Sequence, residues 1–213
     1  MSARRFSLGD RIIGEIDRAI KVLWSPARSR RPAPAGLGTE LVPEGPARLE
    51  SGRLMRVNHA GEVAAQALYQ GQALTAKDGA VTDALRHAAD EEMDHLAWCE
   101  QRLTELDGRT SLLNPLWYAG SFAIGALAGV LGDRTSLGFI TETEKQVESH
   151  LRDHLERLPA ADQRSRAILE QMRHDEIQHG AAAASLGGEE LPFWLRRAMR
   201  LTSRVMTRGS YWL

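Results

Sequence analysis

The stretch 171-QMRHDEIQHG-180 has helical character, yet it puts charge where a core-facing stripe should be apolar. Extended outward in steps of three and four, that stripe reads Leu169, Met172, Glu176, His179, Ala183 and Leu186, the spacing that lines up side chains on one helix face. Glu176 and His179 interrupt it. His174, two positions before Glu176 and so roughly 200° around the helix, faces solvent. A second copy lies at 79–107, where Val81, Leu85, Ala88, Glu92, His95, Cys99, Leu103 and Leu106 form one stripe. Both interruptions are Glu-x-x-His, an internal repeat of chemistry as well as of shape. His87 falls off this second stripe.

Two more long helical patterns run over about 51–76 and 134–157. The later one carries Leu137, Ile140, Glu144, Val147, Leu151 and Leu158 on its stripe, with a single carboxylate, while Glu142 points elsewhere. The earlier one is less regular. Leu54, Val57, Gly61, Ala64 and Leu68 define its apolar line, and Glu62 borders that line beside Asn58, Ala65 and Tyr69. Periodicity alone leaves the burial of Glu62 open. The patterns are separated by "KDG", by "LDGRT" to "LGD" and by "LPAAD", and the last ends at "LGG", all turn or cap chemistry. No strand pattern intervenes, so the fold class is all-α and the four helices form a bundle.

Burying an isolated carboxylate costs several kcal/mol, roughly, unless it is paired or binds a metal. The basic residues do not occupy these stripes, so a metal cation explains the pattern better than salt bridges do. Residues three apart on a helix can offer a carboxylate and an imidazole to one site. Glu62, Glu92, His95, Glu144, Glu176 and His179 are therefore the candidate metal ligands, a mixed oxygen and nitrogen set that suits iron or manganese better than structural zinc. Two Glu-x-x-His helices plus a glutamate from each of two others is the ferritin-like dinuclear arrangement described among helical-bundle proteins. Asp175 and Glu91 each precede a ligand glutamate and can accept the free ring proton of the histidine on the partner helix, Asp175 from His95 and Glu91 from His179. Among the remaining histidines, His59 lies near the start of the first bundle helix, where capping or surface contact is expected, and His150 and His154 border the third stripe.

The 213 residues, 43% apolar and 26% charged, fit one globular domain with an appendage. Residues 1–24 suggest an amphipathic helix, 25–50 a Pro/Gly-rich extended linker, and 51–213 the metal-binding domain. The net charge of −1 hides basic ends, with Arg4, Arg5, Arg11, Lys21, Arg28, Arg30 and Arg31 near one terminus and Arg196 to Arg208 near the other. Such ends favour an anionic partner, membrane lipid or nucleic acid. The lone Cys99 excludes an internal disulfide framework and is expected to be a small buried residue. No signal-peptide apolar run opens the chain, and Asp10, Glu15 and Asp17 argue against a transit peptide, so a cytoplasmic setting is expected.

Residues 112–131, "LLNPLWYAGSFAIGALAGVL", carry no charged side chain. Their length could just span a bilayer. A span, however, would put the last two bundle helices across the membrane from the first two. A helix in the membrane interface, or a buried crossover, is the expectation.

The motifs "RVNHAGE", "EEMDH", "TETEKQVESH" and "DEIQH", together with "NPLW" and the apolar stretch after it, resemble the di-iron demethoxyubiquinone hydroxylases of ubiquinone biosynthesis over roughly residues 50–213. The resemblance implies O2-dependent hydroxylation of the ring of a 2-polyprenyl-3-methyl-6-methoxy-1,4-benzoquinol. It implies two iron ions per chain as the cofactor, O2 as co-substrate and an external reductant. A polyprenyl quinol stays in the bilayer, so the implied enzyme is a peripheral protein on the cytoplasmic face of a bacterial cell membrane. Segments 112–131 and 190–213, with Trp194, Trp212 and a basic face, would meet the lipid. A homo-oligomer or other ubiquinone-pathway proteins are the expected protein partners, and no nucleic acid is. Two alternatives stand beside this: a ferritin- or rubrerythrin-like iron or peroxide oxidase or a tRNA hydroxylase with the same centre, and a non-catalytic lipid- or partner-binding module whose acids are surface groups.

Overall fold

The computed structural model describes residues 8–34 and 43–213. Arg4 and Arg5 of the basic N-terminus, the side chain of Arg11 and residues 35–42 of the expected linker lie outside the described residues. The described elements are all helical: α1 (Leu8–Trp24), α2 (Gly45–Thr75), α3 (Gly79–Glu105), α4 (Asn114–Leu131), α5 (Asp133–Arg157), α6 (Gln163–Ser185) and α7 (Phe193–Trp212). Helices α2, α3, α5 and α6 form a ferritin-like four-helix bundle. Neighbours α2 and α3 pack along each other, as do α5 and α6, and the pairs meet along α3 with α6 and α2 with α5. Asp78 caps α3 through Ala80 N at 2.7 Å, and Asp162 caps α6 through Ser165 N at 3.0 Å, satisfying amides that a helix start leaves without partners.

Helix α2 begins at Gly45, earlier than the pattern from residue 51 suggests. Pro46 sits in its first turn, where no amide donor is needed, so the proline starts the helix rather than prolonging the linker. His59 is consequently deep within a helix and 5% exposed, which corrects the expectation of a cap or surface position. The apolar line assigned to α2 also needs correction. Leu68 faces α4, and Gly61 and Ala64 are only half-buried, while the side turned to the bundle interior carries Met55, Asn58, Glu62 and Tyr69. Periodicity misleads here because α1, α3, α4, α5 and α7 all contact α2, leaving it apolar on more than one face.

The crossover α4 lies along α2 and α5, and no helix among the described residues is long and apolar enough to cross a membrane. Its approach to α2 is backbone to backbone. A Cβ on Gly71 would strike the Phe122 carbonyl oxygen, and one on Gly125 the Leu68 carbonyl oxygen, so only glycine permits this spacing. The opposite side of α4 leaves Leu116, Ile124, Leu127 and Val130 exposed, and α7 exposes Phe193, Trp194, Leu201, Val205 and Trp212.

Two apolar clusters fill the bundle. One gathers Leu54, Met55, Trp98, Cys99, Leu103, Leu151, Leu169 and Met172; the other gathers Tyr69, Val81, Leu85, Leu137, Ile140 and Ala183. On α3, α5 and α6 the ionisable stripe residues fall between them along the chain. Leu186, read as the end of the α6 stripe, is 43% exposed because it is already the C-cap.

Residues 25–34 have no regular structure, but they are not a free linker. Ala27 N donates to Glu100 Oε2 at 2.8 Å, Arg30 N donates to Asp94 Oδ1 at 2.6 Å, and Trp98 Nε1 donates to Ser29 Oγ at 3.1 Å. The segment is strapped along α3.

Candidate metal centre

The bundle brings all six candidate ligands together. Glu62, Glu92, His95 and Glu176 form one group, and Glu92, Glu144, Glu176 and His179 form another, each with one potential ligand atom per residue within 4.8 Å of the others. Glu92 and Glu176 belong to both. All six are buried, Glu62 included at 3% exposure, so none is a surface group. The repeat in sequence becomes a pseudo-symmetric pair in space, with the His95 and His179 rings 6.3 Å apart.

Each imidazole is oriented from behind. His95 Nε2 lies 2.9 Å from Asp175 Oδ2, and His179 Nε2 lies 2.8 Å from Glu91 Oε2. These crossed pairs run between α3 and α6. With Nε2 donating to an acid, Nδ1 of each ring is the atom presented inward. His95 Nδ1 is 3.0 Å from Glu92 and 3.2 Å from Glu176; His179 Nδ1 is 3.1 Å from Glu92 and 3.2 Å from Glu176.

The electrostatics of the cluster call for cations. Burial, and then the charge of Glu92, push the Glu62 carboxyl well above its ordinary range; burial and Glu176 do the same to Glu144. Burial acts the same way on Glu92, but the two imidazoles outweigh it and hold this group well below its ordinary value. Burial lowers His179, yet the carboxylates of Glu176 and Glu92 lift it to about 12, and His95 is likewise raised well above its usual value against burial, first by Glu92. Positive charge between these groups, as protons or as metal, relieves the repulsion. Glu62 Oε2 and Glu92 Oε1 are buried without a properly aligned hydrogen bond, although Glu92 Oε1 lies near His179. Orphaned carboxylate oxygens, four carboxylates and two oriented imidazoles fit a pair of divalent cations sharing Glu92 and Glu176.

Residues beyond the six candidate ligands complete the surroundings, His150 and His154 at the border of the third stripe among them. Tyr69 hydroxyl donates to Glu144 Oε1; its place on the Glu62 line was the available signal. His154 Nδ1 pairs with Asn58 Oδ1 at 2.9 Å, and its ring lies tilted against that of His150 with centroids 3.8 Å apart; burial lowers the pKa of both, so the pair is neutral. Arg31, from the strap, reaches Asp175 at 3.0 Å, and nothing in the spacing of residues 25–50 foretells it. Basic residues are thus not wholly absent from the interior, since Arg102 is 1% exposed, but its carboxylates are Asp162 and Glu105, outside the cluster. His174 and His87 are exposed, and Cys99 is buried with Sγ 3.8 Å from Met172 Sδ.

The family model described as "Ubiquinone biosynthesis protein COQ7" matches residues 50–210, a span that includes every residue of the cluster. The chain belongs to the COQ7 family. It is 56% identical over 206 residues to the 3-demethoxyubiquinol 3-hydroxylase of Azoarcus sp. (strain BH72), covering 95% of this chain and 98% of that one. It is 55% identical over 208 residues to the enzyme of the same name from Nitrosospira multiformis, covering 96% and 98%. Against that from Ralstonia pickettii it is 56% identical over 213 residues, covering 95% and 98%.

In this COQ7-family chain, His59 supplies a pH prediction outside the cluster. Burial lowers its pKa from 6.5 to about 4, and its Nδ1 faces the Asn114 amide nitrogen at 3.4 Å, a donor that suits an unprotonated ring. The stability linked to His59 is therefore complete above its unfolded value of 6.5 and is lost as the pH falls towards 4. Between about pH 7 and pH 5 that loss is about 2 kcal/mol. Urea unfolding of His59→Gln should show a pH dependence shallower by that amount; equal slopes for both proteins would refute the assignment.

Proposed function

We propose that this chain is a di-iron monooxygenase that hydroxylates the ring of 2-polyprenyl-3-methyl-6-methoxy-1,4-benzoquinol in ubiquinone biosynthesis. The observation that carries the reading is the pair of overlapping Glu/His groups sharing Glu92 and Glu176, in a family whose relatives are named 3-demethoxyubiquinol 3-hydroxylase. Glu62, Glu92, His95 and Glu176 would hold one iron, and Glu92, Glu144, Glu176 and His179 the other. Bound iron supplies the activation of O2. In balance, one oxygen atom enters the ring, the other leaves as water, and an external reductant provides two electrons with two protons.

The protein's part is placement. Asp175 and Glu91 keep Nδ1 of His95 and His179 turned inward, and Tyr69 holds Glu144. A groove of about 260 Å³ reaches the cluster between α3 and α6. Its walls include Leu85, Ala88, Leu137, Ile140 and Ala183, and His179, Glu91 and Tyr69 line it as well, so it suits an apolar ring that needs a polar end. The deciding experiment is anaerobic loading with ferrous iron, then labelled O2, a reductant and the quinol. One labelled oxygen gained by the product is the expected result. No gain with two irons bound per chain would overturn the reading.

The exposed apolar faces of α4 and α7, with the arginines of α7, support a peripheral position at an anionic membrane surface; the cytoplasmic face of a bacterial cell membrane is the side we propose. Burying a leucine side chain contributes about 1.5–3 kcal/mol. The double substitution Leu116→Ser, Leu127→Ser should weaken co-sedimentation with phosphatidylglycerol vesicles by roughly 10-fold or more. Unchanged sedimentation would remove α4 from the lipid surface.

A further inference from the structure

The pseudo-symmetry of the centre is broken behind the two histidines. Glu91 and Asp175 are equivalent, each immediately preceding a shared glutamate and each holding a histidine from the other helix. The Glu91 side chain is 34% exposed, lines the open groove, and has the exposed His87 as a neighbour at 3.8 Å. The Asp175 side chain is 9% exposed and is held at both oxygens. Oδ1 accepts from Gln171 Nε2 at 2.9 Å, and Oδ2, the atom that faces His95 Nε2, lies 3.0 Å from Arg31 Nη1. Arg31 is itself fixed. Its Nε donates to Asp94 Oδ2 at 2.7 Å, and its guanidinium carbon lies 4.9 Å from the centre of the Trp98 ring, which stands 5.3 Å from His95.

We propose that Arg31 is a positioning residue for one of the two cation positions, the one formed by Glu62, Glu92, His95 and Glu176. By holding Asp175 Oδ2, the guanidinium stops the carboxylate from rotating about its broad terminal torsion. His95 Nε2 then keeps its acceptor, and Nδ1 keeps its direction towards the carboxylates. The strap thus closes the His95 half of the centre, while the His179 half borders the groove. Arg31 lies outside residues 50–210, which the family model covers, so this support comes from the N-terminal segment.

The inference rests on the reading of the cluster as a metal centre, and the test separates the two. The full-length protein is titrated anaerobically with cobalt(II) alone, and binding is followed by equilibrium dialysis and by visible absorption. Wild type should bind two cobalt ions. Arg31→Ala should bind one of them about 10-fold or more weakly, as loss of support behind a histidine ligand does, with the other unchanged and the absorption of a single ion altered. Arg31→Lys should recover part of the loss. Ser29→Ala removes the strap bonds to Asp94, to Trp98 and to the Arg31 backbone carbonyl without touching the Arg31 guanidinium or Asp175, and should leave both affinities intact. Two wild-type affinities in Arg31→Ala would overturn the proposal, as would an equal loss in Ser29→Ala, which would make attachment of the strap the cause. A wild-type chain that binds no cobalt would instead overturn the metal centre itself, and this inference with it.

Discussion

Glu176→Gln should lose hydroxylation to below detection and bind neither metal ion tightly, because Glu176 belongs to both ligand groups. Glu62→Gln should behave differently, since Glu62 belongs to one group only and the Glu92, Glu144, Glu176 and His179 set survives it. One tightly bound ion per chain is the expected remainder, read by dialysis. Stability gives a second measurement of opposite sign. In the metal-free protein Glu62 is a buried carboxyl with an unpartnered oxygen, disfavoured by burial and by its neighbours. A neutral amide of the same shape removes that cost, so metal-free Glu62→Gln should be more stable than wild type by about 1–3 kcal/mol. With metal present the order reverses, because binding to the native state stabilises wild type more. Chemical denaturation with and without cobalt(II) reads both signs. Destabilisation in both states would mean that Glu62 is a structural acid and not a ligand.

Arg102→Leu is expected to produce the largest loss of stability, about 3–5 kcal/mol, because it leaves a buried carboxylate without its partner. Arg102 and Asp162 are both essentially inaccessible, with Nη2 of Arg102 2.7 Å from Asp162 Oδ1. The same arginine donates through Nε to Ser165 Oγ at 2.9 Å and through Nη1 to Glu105 Oε2 at 2.9 Å. The bonds to Asp162 and Ser165 join the end of α3 to the start of α6, and Asp162 Oδ1 also caps α6 through Ser165 N. Denaturant midpoints should show the fall. The double variant Arg102→Leu, Asp162→Asn should lose less than the sum of the two singles, since asparagine still caps a helix and carries no charge to strand. Additive losses would show that the pair is not coupled.

What could be read from the chain followed the periodic helices. On α3 and α6 the stripe is a single line between two bundle neighbours, and on α5 the packing against α6 dominates, so counting in threes and fours finds Glu92, His95, Glu144, Glu176 and His179 together with the apolar residues around them. On α2 the same counting failed. That helix is covered by α4 and α7 as well as by the bundle, and a helix buried on several faces carries no unique phase in its hydrophobic pattern. Periodicity leaves Glu62 open for that reason, and the helix start near which it puts His59 lies 14 residues earlier, at Gly45.

The strap shows the other limit. Residues 25–34 lack periodicity, and a Pro-rich composition describes a packed segment and a free one equally well. Only the fold shows that Arg31 reaches Asp175 across α3.

By itself the sequence determined the all-helical class, the two Glu-x-x-His insertions and the inward direction of their charge, because helix geometry converts local spacing into a face. The tertiary structure decided which carboxylates are shared, which histidine is sealed and which borders a groove, and where a buried arginine ties α3 to α6. Those facts depend on distances between segments far apart in the chain, and no local period encodes them.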